Sequence, residues 1–198
     1  MTSKTGTRAD QLTIGPQDAL IVVDMQRDFL PGGALGVPLG DQVIEPLNRV
    51  IEACERAGRS VYYSRDWHPR DHCSFREQGG PWPPHCIAGS AGASFAPALR
   101  FPAGAIVISK ATAAGREAYS AFDGTALAGQ LKATGVRRVV IGGLATDYCV
   151  KATVLDARRH GFEVELLRDA IRAVEANPGD GQRALQEMRQ SGAHLTDW

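Results

Sequence analysis

Neither sign of charge is in excess in this chain: 22 Lys and Arg balance 22 Asp and Glu over 198 residues. A formal net charge of zero gives no electrostatic ground for nucleic acid or an anionic membrane surface as partner. Long apolar runs are also lacking, and none approaches the ~20 residues that a transmembrane helix needs. The polar residues 1–10 have no secretory hydrophobic stretch and are expected to form a flexible tail, with residues 11–198 as a single domain. Cysteine is scarce. Cys54, Cys73, Cys86 and Cys149 are too few and too scattered for a disulfide framework. Free thiols in a reducing, cytoplasmic compartment are therefore expected. Repeats and low-complexity linkers are absent, and the Gly/Pro-rich stretch Gly79–Pro102 reads as a long functional loop within the domain.

What is present is an alternation of strand and helix signals. Ala19–Val23 is an apolar run short enough for a strand buried on both faces. Ser60–Ser64, Ala105–Ser109, Arg137–Ile141, Glu163–Leu167 and Ala193–Leu195 are further strand candidates. Gln42–Ala57 places Val43, Leu47, Val50 and Cys54 on one helical face and stops at Gly58. Helices are also expected over Phe122–Thr134, Asp147–His160 and Asp180–Ser191. This order argues for a parallel sheet covered on both faces, with ligands bound outside the carboxyl ends of the strands.

Chemically capable residues collect at those ends. Asp24 follows the first strand, Asp66 the second, Lys110 the third and Leu144–Cys149 the fourth. A cysteine in the first turn of a helix faces unpaired N–H groups and the positive end of the helix dipole, so the Cys149 thiol is expected to be shifted towards thiolate. Asp24 is placed to take its proton, and the Lys110 ammonium to stabilise carboxylate and thiolate together.

A second cluster is Asp66-Trp67-His68-Pro69-Arg70-Asp71-His72, followed by Pro83-Pro84-His85-Cys86. In an extended segment Asp66 and His68 point to the same side, and His85 adds a third donor from a loop. Three ligands leave positions open, which is the pattern of a catalytic metal site. Carboxylate with imidazole suits zinc, iron or manganese. His72 is either a fourth ligand or a loop-fixing residue bonded to a carbonyl. Cys86 lacks a Cys-x-x-Cys partner, which speaks against a structural zinc site. Cys54 and Cys73 read as structural, and His160 and His194 as surface or helix-end residues. Phe29, Trp82 and Tyr119 adjoin the cluster and offer faces for a flat heteroaromatic substrate.

Val23-Asp24-Met25-Gln26-Arg27-Asp28-Phe29-Leu30-Pro31-Gly32-Gly33 resembles the opening signature of the nicotinamidases, within the isochorismatase-like cysteine hydrolases. Ser64–Pro69, Trp82–Cys86, Tyr119–Asp123 and Gly143–Val150 are similar to later motifs of that family, in the same order. The resemblance implies a three-layer α/β/α fold with a six-stranded, mainly parallel sheet in the strand order 3-2-1-4-5-6. It implies a catalytic triad of Asp24, Lys110 and Cys149, metal ligands Asp66, His68 and His85, and a further histidine at His72 that only some members use. It also implies a cis bond at Leu144–Ala145, an oxyanion hole at the N–H groups of Ala145 and Cys149, and substrate contacts from Phe29, Leu35, Trp82, Tyr119 and Ala145. Losing one oxyanion donor typically costs about 10²–10³ in rate. The implied activity is hydrolysis of nicotinamide, and of its near isostere pyrazinamide, in NAD salvage. It would use one divalent ion, with zinc first and iron or manganese as alternatives, in a monomer or homo-oligomer. Arg27 stands where many relatives have asparagine, and Tyr148 where histidine is frequent.

Overall fold

Strands that are apolar on both faces must be covered on both faces, and that requirement sets the architecture. The computed structural model describes residues 12–198, so the tail expected over residues 1–10 lies outside the described residues. Strands β1 (Asp18–Val23), β2 (Val61–Asp66), β3 (Ile106–Lys110), β4 (Arg138–Leu144), β5 (Glu163–Arg172) and β6 (His194–Thr196) form one sheet in the order β3-β2-β1-β4-β5-β6. Every neighbouring pair in it is parallel. Helices α1 (Ile44–Arg56), α2 (Leu127–Ala133), α3 (Lys151–Arg159) and α4 (Asp180–Gln190) make the crossovers. No α-helix joins β2 to β3; that connection holds the Gly/Pro-rich loop and one 3₁₀ turn, Arg76–Gln78.

Period-two alternation in β1 divides its side chains between two cores. Leu20 and Val22 pack with Leu47, Val50, Ile51 and Cys54 of α1. Ala19, Ile21 and Val23 pack on the opposite face with Leu127 and Leu131 of α2, Val154 and Ala157 of α3, and Met188 of α4. The three-layer α/β/α sandwich follows. Each fully buried Leu, Ile or Val contributes about 1.5–3 kcal/mol relative to exposure. The chain runs outward from β1 to β2 and β3, then returns to place β4 on the other side of β1. A crevice opens at such a reversal, beyond the carboxyl ends of the strands.

Two helices are shorter than their sequence patterns suggest. Residues preceding α2 turn instead of coiling: Gly124 has φ 68° and the Thr125 hydroxyl donates to the Ala121 carbonyl at 2.6 Å. The segment expected to be helical from Asp147 begins as a π-helical turn, Thr146–Val150, and becomes α3 only at Lys151. Strand β5 extends to Arg172, with a register shift against β4 between Ile141 and Gly143. Gly143 has φ 128°, and a Cβ there would strike the Val23 backbone, so glycine lets β4 approach β1 beside the crevice.

Ile21 is fully buried, whereas Val107 on the edge strand β3 is exposed. Ile21→Ala is expected to lower the unfolding free energy by about 2–5 kcal/mol. Val107→Ala is expected to change it by about 0.5 kcal/mol or less, and urea denaturation of the two variants checks the contrast.

Candidate active site and metal centre

Three strand ends meet in one buried cluster. Asp24, just past β1, is 0% exposed, Lys110 at the end of β3 is 1% exposed, and Cys149 in the π-helical turn after β4 is 6% exposed. The Lys110 Nζ lies 2.9 Å from Asp24 Oδ2 and 3.5 Å from Cys149 Sγ. It also contacts Asp66 Oδ1 and donates to the Ala118 carbonyl at 3.1 Å. The Ser64 hydroxyl donates to Asp24 Oδ1 at 2.7 Å. Cys149 Sγ and one carboxylate oxygen each of Asp24 and Asp66 all lie within 4.8 Å of one another.

Burial disfavours the Lys110 ammonium, but Asp24 and Asp66 outweigh it and hold the amine well above its ordinary range. Burial raises the Asp24 carboxyl and Asp66 raises it further, against Lys110 and Ser64. Burial opposes ionisation of Asp66 too, yet Lys110 and His68 hold that carboxyl below its ordinary value. The two carboxylates beside one ammonium are therefore driven apart, Asp24 towards holding a proton and Asp66 towards losing one.

The Cys149 thiol departs from the sequence expectation. Burial pushes it well up, Lys110 opposes, and Asp24 and Asp66 add to the rise. Burial and two carboxylates overcome whatever the helix end offers. Burial and the two carboxylates thus favour the thiol form of Cys149 over the thiolate.

The donors Asp66, His68 and His85 also converge, one ligand atom from each lying within 4.8 Å of the others. The His68 Nδ1 pairs with the His85 carbonyl at 3.0 Å, and the His85 Nδ1 with the Pro83 carbonyl at 2.8 Å. Each bond fixes a tautomer that leaves Nε2 with its lone pair available. The His68 Nε2 is buried without a hydrogen-bond partner and lies 3.9 Å from Asp66 Oδ1. An orphaned imidazole nitrogen beside a carboxylate and a second imidazole fits a divalent ion. His72 stacks on His68 with centroids 4.3 Å apart, but both of its nitrogens are engaged. They pair with the Ser74 hydroxyl at 2.8 Å and the Arg116 carbonyl at 3.0 Å. Of the two roles open to His72 from sequence, this is the loop-fixing geometry.

Other residues, which lie within the quoted motifs but were given no role there, hold the site in place. Gln26 is fully buried; its amide receives the Asp66 N–H at 2.8 Å and donates to the carbonyls of Asp66 and Ala93 at 2.8 and 3.0 Å. Asp28 accepts the Cys86 N–H at 2.7 Å, fixing the backbone beside His85. Asp147 accepts the N–H groups of Val174 and Glu175, each at 2.9 Å. Asp24, Cys86 and Ala111 adopt left-handed backbone, with φ of 48°, 47° and 51°. That conformation costs an L-residue roughly 1–2 kcal/mol, and all three lie at or beside site residues. The Leu144–Ala145 peptide is cis.

A pocket opens onto these groups. Of the residues expected from sequence, Phe29, Leu35, Asp66, Trp82, His85, Tyr119, Ala145 and Cys149 line it. Asp24, Lys110, His68 and His72 lie in the buried polar clusters behind them. Val37, Glu117, Leu144, Tyr148 and Val174 also line the pocket. Tyr148 was marked only as standing where histidine is frequent, and no sequence signal singles out Val37, Glu117 or Val174. The Trp82 indole donates to the Tyr119 hydroxyl at 3.1 Å, and Tyr148 stands edge-on to Trp82 at 5.2 Å. Arg27 is exposed. Among the cysteines, all of them free, Cys54 and Cys86 are buried away from the pocket lining.

The isochorismatase domain model matches residues 18–198. The chain belongs to the isochorismatase family. Within it, the chain is 39% identical to a nicotinamidase of Escherichia coli, over 92% of this chain and 97% of that protein. Among solved structures it is similar to a pyrazinamidase of Pyrococcus horikoshii in complex with zinc: 52% identity, TM-score 0.89, covering 92% of this chain and 100% of that one. It is also similar to the PnC1 protein of L. infantum in complex with nicotinate: 39% identity, TM-score 0.87, covering 94% and 96% of the two chains. Metal-ligating geometry is thus at hand in an isochorismatase-family hydrolase that acts on an amide.

His68→Ala is expected to abolish stoichiometric binding of zinc, measured by competition with a chromophoric chelator. Gln26→Ala, which leaves all three ligands in place, is expected to weaken zinc about 10- to 100-fold through lost support of Asp66.

Proposed function

We propose that this protein hydrolyses nicotinamide to nicotinate and ammonia, and pyrazinamide to pyrazinoate, through a thioester on Cys149 in NAD salvage. One observation carries the reading: Cys149 and the donors Asp66 and His85 line the same pocket as the aromatic residues Phe29, Trp82 and Tyr119. A ring nitrogen held at the donor end leaves a carboxamide on the meta ring carbon pointing towards sulfur. The nicotinamidase and pyrazinamidase names of similar proteins support the same substrate class.

Asp24 takes the Cys149 proton, which its raised affinity for protons favours. The thiolate attacks the amide carbon, and the oxyanion is received by the N–H groups of Ala145 and Cys149. The Ala145 N–H makes no backbone hydrogen bond among the described residues and is free for that use. Asp24 returns its proton to the departing ammonia. It then deprotonates the water that cleaves the thioester, releasing nicotinate and restoring the thiol. Throughout, Lys110 holds Asp24 in reach of sulfur and offsets negative charge as it moves between them. Trp82 and Tyr119, joined by their hydrogen bond, keep the ring in its plane and exclude water.

Asp66, His68 and His85 would hold a divalent ion that supplies a Lewis-acid anchor for the pyridine nitrogen. Zinc suits one carboxylate and two imidazoles, and iron or manganese are compatible with the same set. The catalytic domain spans residues 11–198 in this reading. A free thiol as nucleophile supports a reducing, cytoplasmic setting for the enzyme. Among the described residues no helix is long and apolar enough to cross a membrane.

Ammonia release from nicotinamide tests the proposal. Wild type should turn over, chelation should reduce the rate sharply with recovery on adding zinc, and Cys149→Ala should lower kcat/KM by at least about 10⁴-fold. Undiminished turnover by Cys149→Ala would contradict covalent catalysis. No turnover by folded, zinc-loaded wild type would contradict the substrate assignment.

A further inference from the structure

Glu117 brings a charge to the pocket wall that none of these steps uses. It lies in the segment between β3 and α2, half-buried, and lines the pocket together with Trp82, Tyr119 and Cys149. Its Oε1 accepts the Ala118 N–H at 2.9 Å, which fixes the carboxylate instead of leaving it to swing in solvent. A carboxylate oxygen lies within 4.8 Å of ring nitrogens of His68 and His72, at the donor end of the site. Burial pushes the Tyr119 phenol up, and Glu117 pushes the same way, so its field reaches the neighbouring wall.

The reaction proposed above turns a neutral carboxamide into an anion inside one pocket. With both carboxylates ionised, Asp24, Asp66 and Lys110 together carry one negative charge. A bound divalent ion would turn that into one positive charge, and into two when Asp24 holds its proton. Such a site would retain an aromatic carboxylate more firmly than the neutral amide that preceded it. We propose that Glu117 is a charge-selective residue: its carboxylate offsets that excess, disfavours the anionic product and leaves the neutral substrate almost untouched.

The inference rests on the amidase reading. One negative charge roughly 8 Å away, at an effective dielectric between water and protein surface, changes affinity for an anion on the order of fivefold and for a neutral ring hardly at all.

The test is calorimetric titration of nicotinate and of nicotinamide into zinc-loaded Cys149→Ala protein, which binds without turnover. The same titrations are made after adding Glu117→Gln or Glu117→Asp. Nicotinate should bind about fivefold tighter with Glu117→Gln, nicotinamide should change less than twofold, and the gap should shrink as salt is raised. Glu117→Asp should keep most of the parent's discrimination, which separates charge from packing. Equal shifts for both ligands, or an unchanged affinity for nicotinate, would overturn the charge role while leaving the amidase reading intact. Binding of neither ligand to the parent protein would overturn both.

Discussion

The site depends on one buried ammonium. Lys110 carries its charge at a position where burial alone would discharge it, and two carboxylates supply the compensation. Those carboxylates come from the ends of β1 and β2, and Lys110 itself from the end of β3. The same contacts therefore tie three strand ends together and set the protonation of each partner. Asp24 is pushed towards holding a proton and Asp66 towards losing one. A base with a raised proton affinity then faces a thiol, and a committed anion faces two imidazoles.

The fold supplies the geometry for this. Reversal of strand order at β1 and β4 opens the crevice, and Gly143 lets those strands close to their tips. The long connection between β2 and β3 brings His85 and Trp82 to one side of the crevice. The segment after β3 brings Glu117 and Tyr119 to the pocket as well. Loops carry Trp82, His85, Glu117 and Tyr119 of the pocket, while the charged core sits on strand ends packed between the two apolar layers.

Much of this was legible in the sequence because it is local. Apolar runs marked the strand ends to within three residues, except that β5 runs five residues further, and their alternation with helices pointed to a parallel, doubly covered sheet. Asp24, Lys110 and Cys149 were visible because polar residues ending apolar runs must gather at one edge of such a sheet. Other features were hidden because they depend on contacts distant in the chain. Gln26 lies 40 residues from the Asp66 backbone it supports, and nothing nearby marks it as buried. Cys149 was expected to lean towards thiolate, since a helix start can be read from sequence whereas burial beside two carboxylates cannot. The π-helical turn and the short α2 were hidden for a different reason, local hydrogen bonding that periodicity does not encode.

The most direct test of the ammonium-centred account is a ¹³C NMR titration of the aspartate carboxyls in metal-free protein, with Asp24→Asn and Asp66→Asn used for assignment. The account predicts two separated transitions, with Asp24 above the ordinary carboxylate range near pH 4 and Asp66 below it. Transitions that coincide in the ordinary range, or an Asp66 that titrates above Asp24, would contradict it.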